Sequence, residues 1–147
     1  MNKRNRFKTL AITAVFAAGV ACGSLLQLSG DAVAQSSGRV FELRTYTTLP
    51  GRLDALHARF ADHTMALFER HGMTNVAYFN PQDEPLRQNT LTYLIAHDSR
   101  SAADANWQAF AADPDWKQVA EDSQRDGRIV EKVERVYLDA TDYSPLK

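Results

Sequence analysis

Residues 40–72 read VFELRTYTTLPGRLDALHARFADHTMALFERHG, and this stretch decides the fold of the chain. Its first part alternates as a β-strand does, with Phe41, Leu43 and Thr45 on one side. The other side carries Val40, Glu42, Arg44 and Tyr46. We expect the Phe41/Leu43 side to pack against helices, because it is the more apolar one. The mixed side is then expected to face water or a partner.

A turn and a long amphipathic helix follow the strand. Pro50-Gly51 interrupts the strand pattern, and proline is well tolerated near a first helical turn. Apolar and small residues then recur at helical spacing, at Leu53, Leu56, Phe60, Thr64, Leu67 and His71. Gly72 comes directly after this stripe and is predicted to be a left-handed C-cap. The sequence therefore predicts a strand, a tight turn and one helix.

The remaining chain supplies three more strands and two more helices. Strands are predicted at residues 73–79, 90–96 and 129–138, the second of them central, and residues 80–89 form a proline-containing loop. A capping box, Ser101 to Asp104, is expected to open the second helix. Asp113 and Pro114 are expected to open a short third helix. The order is β-α-β-β-α-(α)-β, which predicts an α+β, ferredoxin-like antiparallel sheet with helices on one face.

The open face of such a sheet predicts a partner. We expect large residues on that face, among them Val40, Tyr46 and Tyr137, and an exposed apolar patch of this kind usually marks an interface. A second copy of the chain, related by a two-fold axis, is the simplest partner.

The N-terminal residues read as an export signal. Four basic residues precede an apolar run from Leu10 to Ala21, and Ala32-Val33-Ala34 fits a cleavage site. We therefore predict a signal peptide at 1–34, a lead-in at 35–39, the domain at 40–139 and a polar tail at 140–147, in a periplasmic or secreted protein. The apolar run is shorter than the roughly 20 residues of a membrane span. An uncleaved anchor, or lipidation at Cys22, remains an alternative.

Composition excludes several classes of function. Cys22 is the only cysteine and lies in the predicted signal peptide, so the mature chain has no thiol for catalysis, disulfides or zinc. Removing residues 1–34 takes four basic residues and Asp31 from totals of 17 and 18, leaving 13 basic and 17 acidic residues, a net charge of about −4. An acidic domain without a basic stripe is a poor candidate for binding nucleic acid. No phosphate loop, nucleotide fingerprint or nucleophile motif occurs.

Several local patterns resemble the NIPSNAP family. They are Glu42-Leu43-Arg44-Thr45-Tyr46 with Pro50-Gly51, Gly72 with Val76-Ala77-Tyr78-Phe79, Tyr93-Leu94 near Ser99-Arg100, and Trp107 with Asp113-Pro114-Asp115-Trp116. The resemblance spans residues 40–120, and the loop at 80–89 departs from it because prolines and acids replace glycines there. It implies a dimeric α+β barrel. It does not imply one chemistry, because related barrels include cofactor-independent monooxygenases, haem-handling enzymes and small-molecule binders.

The candidate site residues are aromatic and basic. Ligand-binding candidates are Arg44, Tyr46, Tyr78, Tyr93, Trp107 and Trp116, and catalytic candidates are Tyr78, Tyr93 and His57. Apolar pockets with a few polar groups are typical of ligand sites. Simpler interpretations also exist: an ion pair between Arg44 and a glutamate, and core packing for both tryptophans.

No metal or cofactor is predicted. The three helical histidines, His57, His63 and His71, are six and eight residues apart, whereas zinc ligands on a helix are three or four apart. Three functions stay open. The first is a homodimeric binding module for a small, mainly apolar ligand. The second is a cofactor-independent oxidoreductase or monooxygenase acting on an aromatic or quinone-like substrate. The third is a purely structural dimer.

Overall fold

The computed structural model describes residues 38–146, so the predicted signal peptide, most of the lead-in and the last residue lie outside the described part. Four strands and four α-helical segments follow one another, with one π-helical and one 3₁₀ turn. They are β1 (Val40–Thr48), α1 (Leu53–Arg59), a π-helical turn (Phe60–Thr64), α2 (Met65–Arg70), β2 (Thr74–Phe79), a 3₁₀ turn (Leu86–Gln88), β3 (Thr90–His97), α3 (Arg100–Ala112), α4 (Pro114–Asp122) and β4 (Val130–Asp139).

The strands form one antiparallel sheet in the order β2-β3-β1-β4. The predicted order of elements and the central position of β3 are therefore confirmed. In this register Arg44 lies between Tyr93 of β3 and Arg135 of β4. Residues directly opposite one another share a face of the sheet, so these three side chains are on the same side.

The prediction of which side of β1 packs against the helices is wrong, because the opposite side of the strand contacts them. Glu42 bonds to Trp107 of α3, and the Tyr46 ring contacts Phe60 in the π-helical turn. The side with Val40, Glu42, Arg44 and Tyr46 therefore faces the helices, together with Tyr137 opposite Glu42. Phe41, Leu43 and Thr45 are on the open face. The polar side can be buried because its charges satisfy one another, which a hydrophobicity pattern does not register.

The ends of the helices follow local chemistry. Gly51 and Gly72 have φ of 74° and 75°, so the predicted turn and C-cap are confirmed. Asp113 caps α4, and its Oδ1 accepts a hydrogen bond from the Asp115 amide at 2.8 Å. The predicted cap of the second helix is wrong by two residues. Ser99, rather than Ser101, accepts from the Ala102 amide at 3.0 Å, because Ser99 has the extended backbone that an N-cap needs.

The core lies between the helices and the sheet. It is rich in aromatic rings, and Phe60 and Tyr93 are 5.1 Å apart between ring centres, as are Phe68 and Phe110. Ten buried residues form it: Leu56, Phe60, Leu67, Phe68, Met73, Leu91, Tyr93, Ile95, Phe110 and Ile129. The site described below is a polar cluster inside this aromatic layer.

The opposite face of the sheet has no helix on it in the described chain. It presents Leu43, Leu94, Val136 and Leu138, with Thr45 and Thr92 side by side on the central strands. Val136 and Leu138 are 47% and 40% exposed. The face is therefore apolar and is accessible around Val136 and Leu138, whereas Phe41 on the same face is only 5% exposed. The residues that form it differ from those predicted.

Candidate ligand-binding site

A buried carboxylate anchors one end of the site. Glu42 is fully buried, and its Oε1 accepts a hydrogen bond from Arg44 Nη1 at 2.9 Å. The Trp107 indole N–H donates to Oε2 at 2.6 Å, and His97 Nε2 lies 3.0 Å from the same oxygen. Burial raises the pKa of Glu42, but the bonds to His97, Trp107 and Arg44 outweigh it, and the net shift is downward. Glu42 is therefore an ionised carboxylate at neutral pH.

Arg44 extends from the same strand into the aromatic layer. Its guanidinium carbon lies 4.1 Å from the centre of the Trp107 ring and 5.6 Å from that of Tyr46. Burial lowers the pKa of Arg44, while Tyr46, Tyr93 and Glu42 raise it, and the net shift is upward. Its Nε is buried and has no hydrogen-bond partner. Arg44 is thus paired with Glu42 and retains a free donor.

Arg59, the last residue of α1, is the second buried arginine. The residue is only 7% exposed, and its guanidinium carbon lies 5.5 Å from the centre of the Trp116 ring. Within residues 38–146 no carboxylate forms an ion pair with it, and its buried Nε has no hydrogen-bond partner. Burial lowers the pKa of Arg59, and the nearby Tyr46 and Tyr93 hydroxyls only partly offset that shift. Arg59 is therefore a buried cation without a counter-ion in the described chain.

Tyrosine hydroxyls complete the cluster. Tyr93 is fully buried, and its hydroxyl lies beside Tyr46 without the geometry of a hydrogen bond to it or to any other group in the described residues. Its ring stacks on that of Tyr78, with 5.4 Å between the centres, and the Tyr78 hydroxyl donates to Asn75 Oδ1. Burial raises the pKa of both tyrosines, that of Tyr93 well above its ordinary value. Both hydroxyls therefore stay protonated and act as hydrogen-bond donors. We call Arg44, Tyr46, Arg59 and Tyr93 the arginine–tyrosine cluster.

A cavity of about 610 Å³ opens between α1 and α4, and Arg59 forms part of its wall. Aspartates also line it, but most of their charge is neutralised by arginines. Three of the four pair with an arginine: Asp115 with Arg70, Asp122 with Arg125 and Asp126 with Arg52. The cavity thus offers a small molecule a route from solvent to Arg59.

The structure brings most of the predicted ligand-binding residues together. Tyr46 and Tyr93 adjoin each other and both arginines, and Trp107 lies over Arg44. Trp116 lies beside Arg59 and also packs on Phe110 at 4.4 Å between ring centres. Both simpler interpretations hold alongside this arrangement, because Arg44 pairs with Glu42 and each tryptophan also contributes to the core.

The catalytic candidate His57 lies apart from the cluster. It lines a second cavity, of about 300 Å³, with Phe60, Met65, Tyr78 and Leu91. Its buried Nε2 has no hydrogen-bond partner. Tyr78 therefore joins the two regions: its ring stacks on Tyr93, while its other surface borders the cavity of His57.

Sequence reasoning missed two members of the site. Arg59 was not singled out, because an arginine in an amphipathic helix usually points to solvent. His97 was not among the candidate site residues, although it ends β3 and is buried beside Glu42. The alternation of β1 placed Glu42 and Arg44 on one face, and that was the available signal for a paired polar cluster.

Between residues 38 and 146, no cluster of three or more histidine, cysteine, aspartate or glutamate side chains is arranged to hold a metal ion. Over the same range, no helix has both the length and the apolar character of a membrane span.

The fold and the cluster define a class of protein: a four-stranded antiparallel sheet covered by helices, as in dimeric α+β barrels, with a polar site inside the helix–sheet layer. The NIPSNAP family model matches residues 41–145. The chain belongs to the NIPSNAP family. The resemblance noted from local motifs is thereby confirmed over nearly all of the described residues.

Solved structures with the same fold have diverged far in sequence. A NIPSNAP family protein of unknown function from Agrobacterium tumefaciens is 23% identical, with a TM-score of 0.65 over 76% of this chain and 96% of that one. An uncharacterised NIPSNAP-like domain protein from Burkholderia xenovorans is 16% identical, with a TM-score of 0.64 over 74% and 90%. A variant of SnoaB, a cofactor-independent oxygenase from Streptomyces nogalater, is 18% identical, with a TM-score of 0.51 over 73% and 97%. No curated protein matches the sequence.

Proposed function

We propose that this protein binds a small, mainly apolar molecule at the arginine–tyrosine cluster. One observation carries the proposal: three buried polar groups of the cluster, Arg44 Nε, Arg59 Nε and the Tyr93 hydroxyl, have no hydrogen-bond partner. Buried polar groups in native proteins are nearly always paired, and each unpaired one costs about 1–3 kcal/mol. A ligand that accepts hydrogen bonds from these donors accounts for all three together.

The surroundings of these donors favour a flat, aromatic ligand. Tyr46, Tyr93, Trp107 and Trp116 present rings around the two guanidinium groups. Ligand sites typically combine such an apolar lining with a few polar groups that fix orientation. The cavity of about 610 Å³, which Arg59 alone of the cluster lines, lies within the usual size range for small-molecule sites.

A thermal-shift screen with small aromatic compounds tests the binding proposal. A ligand at 100 times its dissociation constant stabilises the folded state by about 2.7 kcal/mol, which raises the melting temperature measurably. We expect at least one compound to do so, and we expect Trp116→Leu to reduce its effect. A screen in which no aromatic compound stabilises the protein would favour a purely structural dimer.

A second candidate function is a cofactor-independent oxidation of an aromatic or quinone-like substrate. The Tyr93 hydroxyl, kept protonated by burial and close to two guanidinium groups, could stabilise negative charge that develops on a substrate oxygen. SnoaB, described as a cofactor-independent oxygenase, shares the fold. Oxygen consumption measured with a panel of phenols and hydroquinones tests this candidate. If the protein is such an enzyme, at least one of these compounds should be turned over with oxygen consumption, and Tyr93→Phe should lower that rate at least tenfold.

We propose that the binding module is a homodimer joined through its open sheet face. Exposed apolar side chains on that face, such as Val136 and Leu138, support this arrangement. A sheet with one uncovered apolar face is stabilised when a second copy covers it.

Export is a further part of the proposal. The basic and apolar N-terminal residues and the Ala32-Val33-Ala34 site support removal of a signal peptide and a periplasmic or secreted location. Mass spectrometry of protein from the exported fraction of its host should find a chain that begins at Gln35. A full-length chain in the cytoplasmic fraction would contradict export.

A further inference from the structure

We propose that the ligand carries one carboxylate group, and that this carboxylate pairs with Arg59. The inference rests on the proposed binding function and names the chemical class of the ligand, a small aromatic monocarboxylate. Three charged side chains are buried at the site. Arg44 and Arg59 bring two positive charges, and Glu42 brings one negative charge, already bonded to Arg44 at 2.9 Å. One positive charge, that of Arg59, remains uncompensated.

Water in the cavity solvates Arg59 only in part. The residue is 7% exposed and its Nε is buried without a hydrogen-bond partner, and a charge in such a position is disfavoured unless it is paired. Aromatic stacking on Trp116 stabilises a guanidinium but provides no hydrogen-bond acceptor in its plane. The aspartates that line the cavity between α1 and α4 form no ion pair with Arg59, and most of them pair with other arginines. An anion from outside the described chain is the partner that is missing.

The local backbone holds Arg59 in this unfavourable position. The π-helical turn begins at the next residue, Phe60, and the Thr64 hydroxyl donates to the Arg59 carbonyl at 3.0 Å. Single π-helical turns within α-helices often mark functional sites. Arg59 and Phe60, the residues on either side of the start of this turn, are both buried.

The charge balance favours a carboxylate over a phosphate. A guanidinium presents its N–H groups in a planar fork that matches two oxygens of either group, so the charge of the anion decides between them. The Tyr93 hydroxyl, which is protonated and lacks a partner, is a further donor close to Arg59. A carboxylate carries one charge and balances Arg59 alone. A phosphate monoester carries about 1.5 to 2 negative charges at pH 7 and would leave an excess of buried negative charge.

Isothermal titration calorimetry with three matched naphthalene derivatives tests the inference. The probes are 2-naphthoate, neutral 2-naphthamide and 2-naphthyl phosphate, each titrated into the wild-type protein at pH 7. We expect 2-naphthoate to bind at least tenfold more tightly than either of the others. Equal affinity for the carboxylate and the amide would overturn the carboxylate inference and leave the binding function intact. Tighter binding of the phosphate would also overturn it.

Two variants connect the preference to Arg59. Arg59→Met should reduce 2-naphthoate affinity at least tenfold and that of 2-naphthamide by a smaller factor, because the amide loses a hydrogen bond but no ion pair. It should also raise the melting temperature of the ligand-free protein, because it removes an unpaired buried charge. Arg87→Met, the same change at an exposed arginine, should change neither affinity. If the Arg59→Met protein does not fold, Arg59→Gln is the second variant. It is expected to show the same loss of preference for the carboxylate.

These experiments distinguish failure of the carboxylate inference from failure of the proposed binding function. If 2-naphthoate binding is unchanged by both substitutions at Arg59, the carboxylate lies elsewhere and the inference is wrong. If no probe binds and Arg59→Met lowers the melting temperature, Arg59 is a structural residue, and both the inference and the proposed function fail.

Discussion

Glu42 is the residue on which the polar interior depends. It is fully buried and bonds to Arg44, His97 and Trp107, so one carboxylate connects β1, β3 and α3. Such a charge is tolerated only while its partners remain in place. Its lowered pKa means that the folded state favours the ionised form more strongly than the unfolded chain does. The contribution of Glu42 to stability is therefore present above its ordinary pKa of 4.5 and is lost as the pH falls through the lower pKa of the folded state.

Replacing Glu42 by glutamine should destabilise the protein. The substitution keeps the shape but leaves Arg44 as a second unpaired buried cation, so we expect a loss of about 3 kcal/mol in urea unfolding at pH 7. The difference from wild type should shrink below pH 4.5, where the wild-type carboxyl also becomes protonated. Glu121→Gln, on the exposed side of α4, is the control. A Glu42→Gln protein as stable as wild type at pH 7 would show that the network contributes no stability.

Candidate residues could be chosen from the sequence, but their surroundings in the fold could not. Arg44, Tyr46 and Tyr93 were identified as candidates, and all three lie in the cluster. Arg59 was missed because arginine is usually exposed, and the sequence of residues 53–70 does not show that this one packs beside Trp116 of α4. The partners of Glu42 come from β3 and α3, 55 and 65 residues along the chain, so only the tertiary structure brings them together.

At the scale of elements, the first helix is the least regular and the most informative. The sequence predicts one continuous amphipathic helix, and the chain instead forms α1, a π-helical turn and α2. The turn is supported by the Thr64 hydroxyl, which donates to the Arg59 carbonyl. Thr64 is buried, so this bond lacks competition from water.

Thr64→Val should destabilise the helix that contains the π-helical turn. Valine keeps the shape of threonine but removes the hydroxyl, so we expect a loss of about 1 kcal/mol in urea unfolding. Thr64→Ser keeps the hydroxyl and should lose less. Equal stability of the valine variant and the wild type would mean that this hydrogen bond does not stabilise the turn.

Two glycines have the same backbone conformation, but we expect substitution by alanine to destabilise the protein to different extents at the two positions. Gly51 and Gly72 have φ of 74° and 75°, where an L-residue costs about 1–2 kcal/mol. A Cβ at Gly72 would lie 3.3 Å from the Asn106 side chain, which donates to the Gly72 carbonyl, whereas a Cβ at Gly51 meets nothing within 4 Å. In urea unfolding, Gly72→Ala should therefore cost more stability than Gly51→Ala. The reverse order would contradict this packing.

At the scale of the whole molecule, the sequence correctly predicts which side chains of β1 share a face of the sheet. It does not predict which of the two faces meets the helices. The strands, their order and the ferredoxin-like connection follow from periodicity and turn residues. The predicted orientation of β1 was the reverse of the observed one, because the more apolar side of the strand was assumed to pack against the helices. The apolar Phe41/Leu43 side is on the open face of the sheet, and the charged side is buried under the helices. A protein that joins a copy of itself through that open face needs it to be apolar.

Two valines on β4 provide a matched test of the proposed dimer. Val136 is 47% exposed on the open face, and Val133 is 43% exposed on the side that carries the helices. Lysine at an apolar interface buries an unpaired charge. We expect Val136→Lys to be a monomer in analytical ultracentrifugation and Val133→Lys to remain a dimer. A dimeric Val136→Lys protein, or a monomeric wild type, would contradict the proposed interface.

We propose that the arginine–tyrosine cluster holds the anionic group of a small aromatic ligand, and a crystal structure of the protein grown with saturating 2-naphthoate is the decisive experiment. We expect the carboxylate to lie within hydrogen-bonding distance of the Arg59 guanidinium and the Tyr93 hydroxyl, with the rings beside Trp107 or Trp116. A carboxylate that points to bulk solvent, a ligand bound only in the cavity of His57, or an empty cluster would contradict it.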